Sequence, residues 1–154
     1  MKIAIVYTSK TGNTEELVYL IRDIFIQRKV EVMVYRVEQF QDMAIDQFDA
    51  MIVATYTWGN GEIPYEMMNL YHAFETQNVK HVVTGVAGTG DSGYEQFCGA
   101  VDQLRDMLYV HTTLAATLKI EITPQSEDIK RCKKFVDLLL ERVTQERLLS
   151  NTKA

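Results

Sequence analysis

The chain has 154 residues, with 16 Lys+Arg against 21 Asp+Glu, a formal net charge of −5 and a pI near 5.2. That acidic balance argues against nucleic acid as the main partner, because phosphate contacts need a basic surface, and it permits steering onto basic protein surfaces. With 47% hydrophobic and 24% charged residues the chain is too apolar for disorder, and its length predicts one domain over residues 1–154.

The two cysteines, Cys98 and Cys132, form no framework pattern, and His72, His81 and His111 are scattered without zinc-site spacing. Met1-Lys2 runs straight into Ile3-Ala4-Ile5-Val6, and no apolar run reaches signal-peptide or bilayer-spanning length. A cytoplasmic protein without a membrane partner is expected.

Short apolar runs alternate with amphipathic segments along the chain. Ile3–Thr8, Ala50–Thr55 and Val82–Ala87 are nearly continuous in apolar character, as strands buried on both faces of a parallel sheet are. Val30–Val37 and Thr117–Ile122 mix in charged residues, as strands nearer a sheet edge would. Leu17, Leu20, Ile21 and Ile24 mark the first helix behind a polar Asn13-Thr14-Glu15-Glu16 start. Val101, Leu104 and Leu108 mark the fourth, and Ile129, Cys132, Val136 and Leu139 the last, which Ser126-Glu127-Asp128 would cap. Strand–helix alternation through five rounds predicts right-handed crossovers and a three-layer α/β/α sandwich.

In such a sheet, ligands collect beyond the carboxyl ends of the strands, where the strand order reverses. After the first strand comes Thr8-Ser9-Lys10-Thr11-Gly12-Asn13-Thr14. These hydroxyls, with backbone N–H groups and the positive end of a helix dipole, suit a phosphate monoester. Asn13 alone would serve as an ordinary cap, but the loop carries more hydroxyls than a cap needs. The loop is neither a Walker motif, since Asn13 follows Gly12, nor a GxGxxG fingerprint.

The loop after the third strand, Thr55-Tyr56-Thr57-Trp58-Gly59-Asn60-Gly61, holds the only tryptophan. Trp58 there is either a lid on the core or a ligand platform. The loop after the fourth strand, Gly88-Thr89-Gly90-Asp91-Ser92-Gly93-Tyr94-Glu95, adds a second aromatic at the same edge. Two aromatics beside a phosphate site point to a phosphorylated planar cofactor, whose identity the residues alone leave open.

With these motifs the sequence resembles the short-chain flavodoxins, FMN-containing electron carriers, over essentially its whole length. The resemblance rests on Ile5-Val6-Tyr7 followed by Ser9, Gly12 and Thr14, and above all on Gly88–Ala100, GTGDSGYEQFCGA. Val18 stands where that family usually carries alanine, and Leu114 to Pro124 lacks the insertion of long-chain members.

The resemblance implies a five-stranded parallel sheet of order 2-1-3-4-5, with FMN held between the first and third strands. It implies a phosphate cradle of Ser9, Thr11, Asn13 and Thr14, with backbone from Lys10 and Gly12. Thr55 and Thr57 would lie against the ribityl-phosphate arm, Tyr56 between them would also be a cofactor-binding residue, and Trp58 and Tyr94 would flank the ring. Backbone at Gly59, Asn60, Gly88, Thr89, Gly90, Asp91 and Cys98 would address its polar edge, the Cys98 sulfur itself reading as a small buried hydrophobe. Gly59-Asn60 would be the redox-responsive peptide.

The function implied is low-potential one-electron transfer by a monomer, between an NAD(P)H-dependent flavodoxin/ferredoxin reductase and acceptor enzymes. The alternatives are a flavodoxin-like NAD(P)H/quinone oxidoreductase and a dedicated flavoprotein activator of one enzyme. A response regulator is excluded, because Thr55 and Ser9-Lys10 stand where that fold needs acidic residues.

Overall fold

The computed structural model describes residues 1–152. Five strands, β1 (Ile3–Tyr7), β2 (Val32–Arg36), β3 (Ala50–Tyr56), β4 (Val83–Gly90) and β5 (Thr113–Glu121), form one sheet in the order β2-β1-β3-β4-β5. Every neighbouring pair is parallel. This is the expected order and the expected α/β/α sandwich.

Four helices cover the sheet: α1 (Asn13–Gln27), α2 (Met68–Thr76), α3 (Gly99–His111) and α4 (Ile129–Thr152). Alternation along the central strands explains the two layers. Ile3, Ile5 and Tyr7 pack with Leu17 and Ile21 of α1 and Phe135 and Leu139 of α4. Ala4 and Val6 point the other way, into the cluster holding Leu70 and Phe74 of α2 and Val101 and Leu104 of α3. Ile52, at the centre of the sheet, is wholly buried, and truncating such a side chain to alanine costs about 2–5 kcal/mol. Val18 is fully buried too, so the helix–sheet contact accommodates it.

Two expectations need correction. Between β2 and β3 no α-helix forms; the chain makes two 3₁₀ turns, Val37–Gln39 and Asp42–Gln47. Val37, Phe40, Ile45 and Phe48 bury there without the 3.6-residue stripe of an amphipathic helix. The helix marked by Val101, Leu104 and Leu108 is therefore the third. The fifth strand also starts at Thr113, earlier than its charge alternation suggested, because Thr113 and Leu114 already pair with Val83 and Thr84. It then runs unbroken to Glu121.

Among the described residues no helix is long and apolar enough to cross a membrane, and no group of side chains is arranged to hold a metal ion.

Candidate cofactor site

β1 and β3 are neighbours, but β1 leads to β2 on one side and β3 to β4 on the other. Their carboxyl ends therefore open a crevice at the point where the winding reverses. Three loops, following β1, β3 and β4, enclose a cavity of about 560 Å³ there. Such a volume lies within the range of small-molecule and cofactor sites.

The β1 loop turns into α1 through Gly12, whose φ of +95° lies in the left-handed region that suits glycine. The N-cap position is Gly12, which has no side chain to cap with, so Asn13 is the first helical residue rather than the cap considered for it. The Ser9 hydroxyl accepts from the Glu15 N–H at 3.2 Å, and its own proton remains free to donate. The first-turn N–H groups face the crevice end of the helix, where an anion is favoured. Lys10, Thr11 and Asn13 line the cavity. Ser9 and Gly12, at the turn, are not among the lining residues, and Thr14 is buried behind it, its hydroxyl 2.8 Å from that of Thr89.

From the β3 loop, Tyr56, Thr57, Trp58, Gly59 and Asn60 line the cavity. Thr55 does not. It is fully buried and donates to the Tyr56 carbonyl at 2.7 Å. Trp58 is 47% exposed, which removes the reading of it as a lid on the core. The Lys10 ammonium sits 3.9 Å from the centroid of its ring, a cation–π contact within the site.

From the β4 side, Thr89, Gly90, Asp91, Tyr94 and Cys98 contribute to the wall. Tyr94 is 61% exposed and, like Trp58, offers a large apolar face at the rim. Gly88 lies beneath the site: a Cβ there would fall 2.3 Å from Val101 Cγ2 and 2.6 Å from the Thr55 carbonyl oxygen. Cys98 is buried, and burial pushes its thiol up to about 11, so the sulfur is an inert packing atom at neutral pH.

Two lining residues escaped the sequence reading. Gln96 lies in the loop before α3, and Ile122 follows β5. Ile122 has φ +58°, a costly conformation for a β-branched residue, and its N–H donates to the Gly90 carbonyl at 2.7 Å. Nothing in its local sequence signals a left-handed isoleucine.

Beneath the β3 loop, the Glu66 carboxylate accepts from Thr8 at 2.8 Å and from Tyr56 at 2.6 Å. Burial alone would raise its pKa. The hydrogen bonds from Tyr56, its own backbone N–H and Thr8, with the charge of Lys10, outweigh that and hold it below the ordinary carboxylate value. The Tyr56 hydroxyl is pushed up, first by burial and then by that same hydrogen bond.

Comparison with known proteins agrees with this geometry. The family model described as flavodoxin matches residues 5–135. A probable flavodoxin 1 of Bacillus subtilis (strain 168) is 30% identical over 137 residues, covering 87% of each chain. The crystal structure of oxidised flavodoxin 2 from Bacillus cereus superposes with a TM-score of 0.86 at 32% identity, covering 92% of this chain and 99% of that one. A short-chain flavodoxin associated with a non-canonical PDU bacterial microcompartment gives a TM-score of 0.87 at 31% identity, covering 93% and 99%. With its fifth strand uninterrupted, the chain belongs to the flavodoxin family as a short-chain member, an FMN-binding electron-transfer protein rather than a substrate-converting enzyme.

Proposed function

We propose that this flavodoxin carries single electrons at low potential between an NAD(P)H-dependent reductase and acceptor enzymes, with its FMN in the β1/β3/β4 crevice. The observation that carries the reading is the joining, in one cavity, of a helix start with a glycine N-cap, lined by Lys10, Thr11 and Asn13, and two half-exposed aromatic side chains. The site fits the cofactor on its chemistry. An anion-seeking end and a flat apolar end lie in one cavity, as a phosphorylated planar ring requires.

Ser9, Thr11, Asn13 and the backbone of Lys10 and Gly12 would hold the phosphate, with Thr14 acting as a buried brace. Among the described residues Lys10 is the one cation lining the cavity, so neutral hydrogen bonds and the α1 dipole supply most of the anion binding. Thr57 and Tyr56 would follow the ribityl arm, with Thr55 supporting them from inside the sheet. Trp58 and Tyr94 would cover the ring, and backbone from Gly59 to Asn60 and from Thr89 to Asp91 would meet its polar edge.

FMN supplies reversible one-electron chemistry when bound. The chain's own part is to exclude water from the ring's faces, orient its edge and set the charge around it. Asp91 is the one carboxylate among the lining residues, and Cys98 offers no thiolate. Stopped-flow mixing of the FMN-loaded protein with NAD(P)H tests the assignment. Reduction only after addition of a separate flavodoxin reductase is expected; direct hydride transfer at a catalytic rate would favour the oxidoreductase reading.

A further inference from the structure

The hairpin that carries Trp58 is anchored unevenly: on its Thr57 side a single longer bond reaches α3, the Ala100 N–H donating to the Thr57 hydroxyl at 3.4 Å. Trp58 and Glu62 exchange two backbone hydrogen bonds, of 2.8 and 2.7 Å, closing Gly59, Asn60 and Gly61 into a three-residue loop. On the Gly61 side the anchorage is dense. Gln103 Nε2, one turn along α3 from Gly99, donates to the Gly61 carbonyl at 2.5 Å. A Cβ on Gly99 would fall 2.6 Å from Gly61 Cα and 2.8 Å from its oxygen, so the two backbones touch.

The Gly61–Glu62 peptide is thus held at both ends, its oxygen by Gln103 and its N–H by the Trp58 carbonyl. The peptides on either side of Asn60 have no hydrogen-bond partner among the described residues. Around Gly59 there is also room, since a Cβ there would meet only the Glu62 carboxyl, at 3.9 Å.

We infer that Gln103 is a positioning residue for the flavin site. By pinning Gly61 to α3 it makes that residue a fixed pivot, confines backbone motion in the hairpin to the peptides flanking Asn60, and sets where Trp58 stands against the ring. The pivot rests on the protein alone, whereas its consequence for flavin rests on the functional reading above.

Gln103→Met and Gln103→Glu test this. Both keep the side chain's length at an exposed helical position, and neither an ionised carboxylate nor a thioether donates a hydrogen bond. In the apoprotein of either variant, the Glu62 amide should exchange with solvent about tenfold faster than in wild type, followed by NMR. In the flavin-loaded protein, affinities for FMN and riboflavin should fall together by about three- to tenfold, the worth of one neutral hydrogen bond. The phosphate loop is untouched, so their ratio holds. The two one-electron potentials of the bound flavin should move by unequal amounts. Unchanged exchange at Glu62, loss of FMN affinity without loss for riboflavin, or wild-type potentials would each overturn the inference. Wild-type protein that took up no flavin would overturn the functional reading instead, and the apoprotein measurement would still decide the pivot.

Discussion

The hydroxyls of Thr14 and Thr89 meet at 2.8 Å in the buried floor of the crevice, tying the first turn of α1 to the end of β4 across 75 residues of sequence. The contact joins the start of α1, behind the β1 loop, to the β4 wall of the cavity. It also assigns Thr14 a bracing role, distinct from that of the hydroxyls that face the cavity.

Replacing Thr14 with valine should therefore act first on stability. It strands the buried Thr89 hydroxyl, a loss of about 1–3 kcal/mol, read as a lower urea midpoint with unchanged slope. Thr11→Ala, at a cavity-lining position, should leave stability close to wild type and weaken FMN more than riboflavin. The reverse pattern in the two variants would exchange their roles.

Trp58→Ala and Tyr94→Ala each remove an exposed aromatic face from the rim. Stacking contacts of this kind are worth about 1–3 kcal/mol, so each variant should lose one to two decades of flavin affinity in a fluorescence titration. The loss should be similar for FMN and riboflavin, because the ring is common to both. Unchanged affinity in either variant would place that side chain off the flavin.

The fold was largely legible where burial forces a pattern. Ile3–Tyr7 and Ala50–Thr55 are covered on both faces, so nearly every residue is apolar and the strands are plain in the sequence. Thr113–Ala116 of the edge strand carries no such mark, and its pairing with β4 is a tertiary decision. The segment from Val37 to Gln47 has apolar residues enough for a helix but lacks the spacing. At the site, polar loop residues with obvious chemistry stood out. Residues that depend on distant partners did not: the loop positions of Thr55 and Gly88 suggest cofactor contact, yet both lie beneath the cavity, while Gln96, Ile122 and Gln103 carry no local signal.

Ile122 offers a trade between stability and binding. Its left-handed backbone costs a β-branched residue on the order of 1–3 kcal/mol, which Ile122→Gly relieves, partly offset by the added freedom of glycine when unfolded. The variant should melt at a higher temperature in the apo form while binding flavin more weakly through the lost apolar wall. A lower melting temperature would show that the Ile122 side chain contributes more through packing than its backbone costs.

Asn60 lies on the cavity wall, so Asn60→Asp should place a carboxylate near the reduced ring. Repulsion through a largely aqueous medium is about 0.5–1.4 kcal/mol. For one electron that is on the order of 20–60 mV. The second one-electron potential should become more negative by that amount, and by less at high salt. Spectroelectrochemical titration decides it; an unchanged or more positive second potential would remove Asn60 from the ring's surroundings.

Glu66 gives the site a signature in acid. Its carboxyl is lowered in the folded protein, so the stability it contributes is complete above its ordinary value of 4.5 and is lost as pH falls through the lower folded value. Glu66→Gln should flatten that acid limb of melting temperature against pH and leave the curve near neutrality parallel to wild type. An acid limb identical to wild type would mean that Thr8 and Tyr56 do not hold the carboxylate in solution.

The most direct test is titration of the apoprotein with FMN and with riboflavin, followed through Trp58 emission and flavin fluorescence. A phosphate-binding helix start beside an aromatic platform predicts quenching of both signals by either ligand, with much tighter binding of FMN. Equal affinities for the two ligands would contradict the account, since the hydroxyl-rich loop from Ser9 to Thr14 would then hold no phosphate.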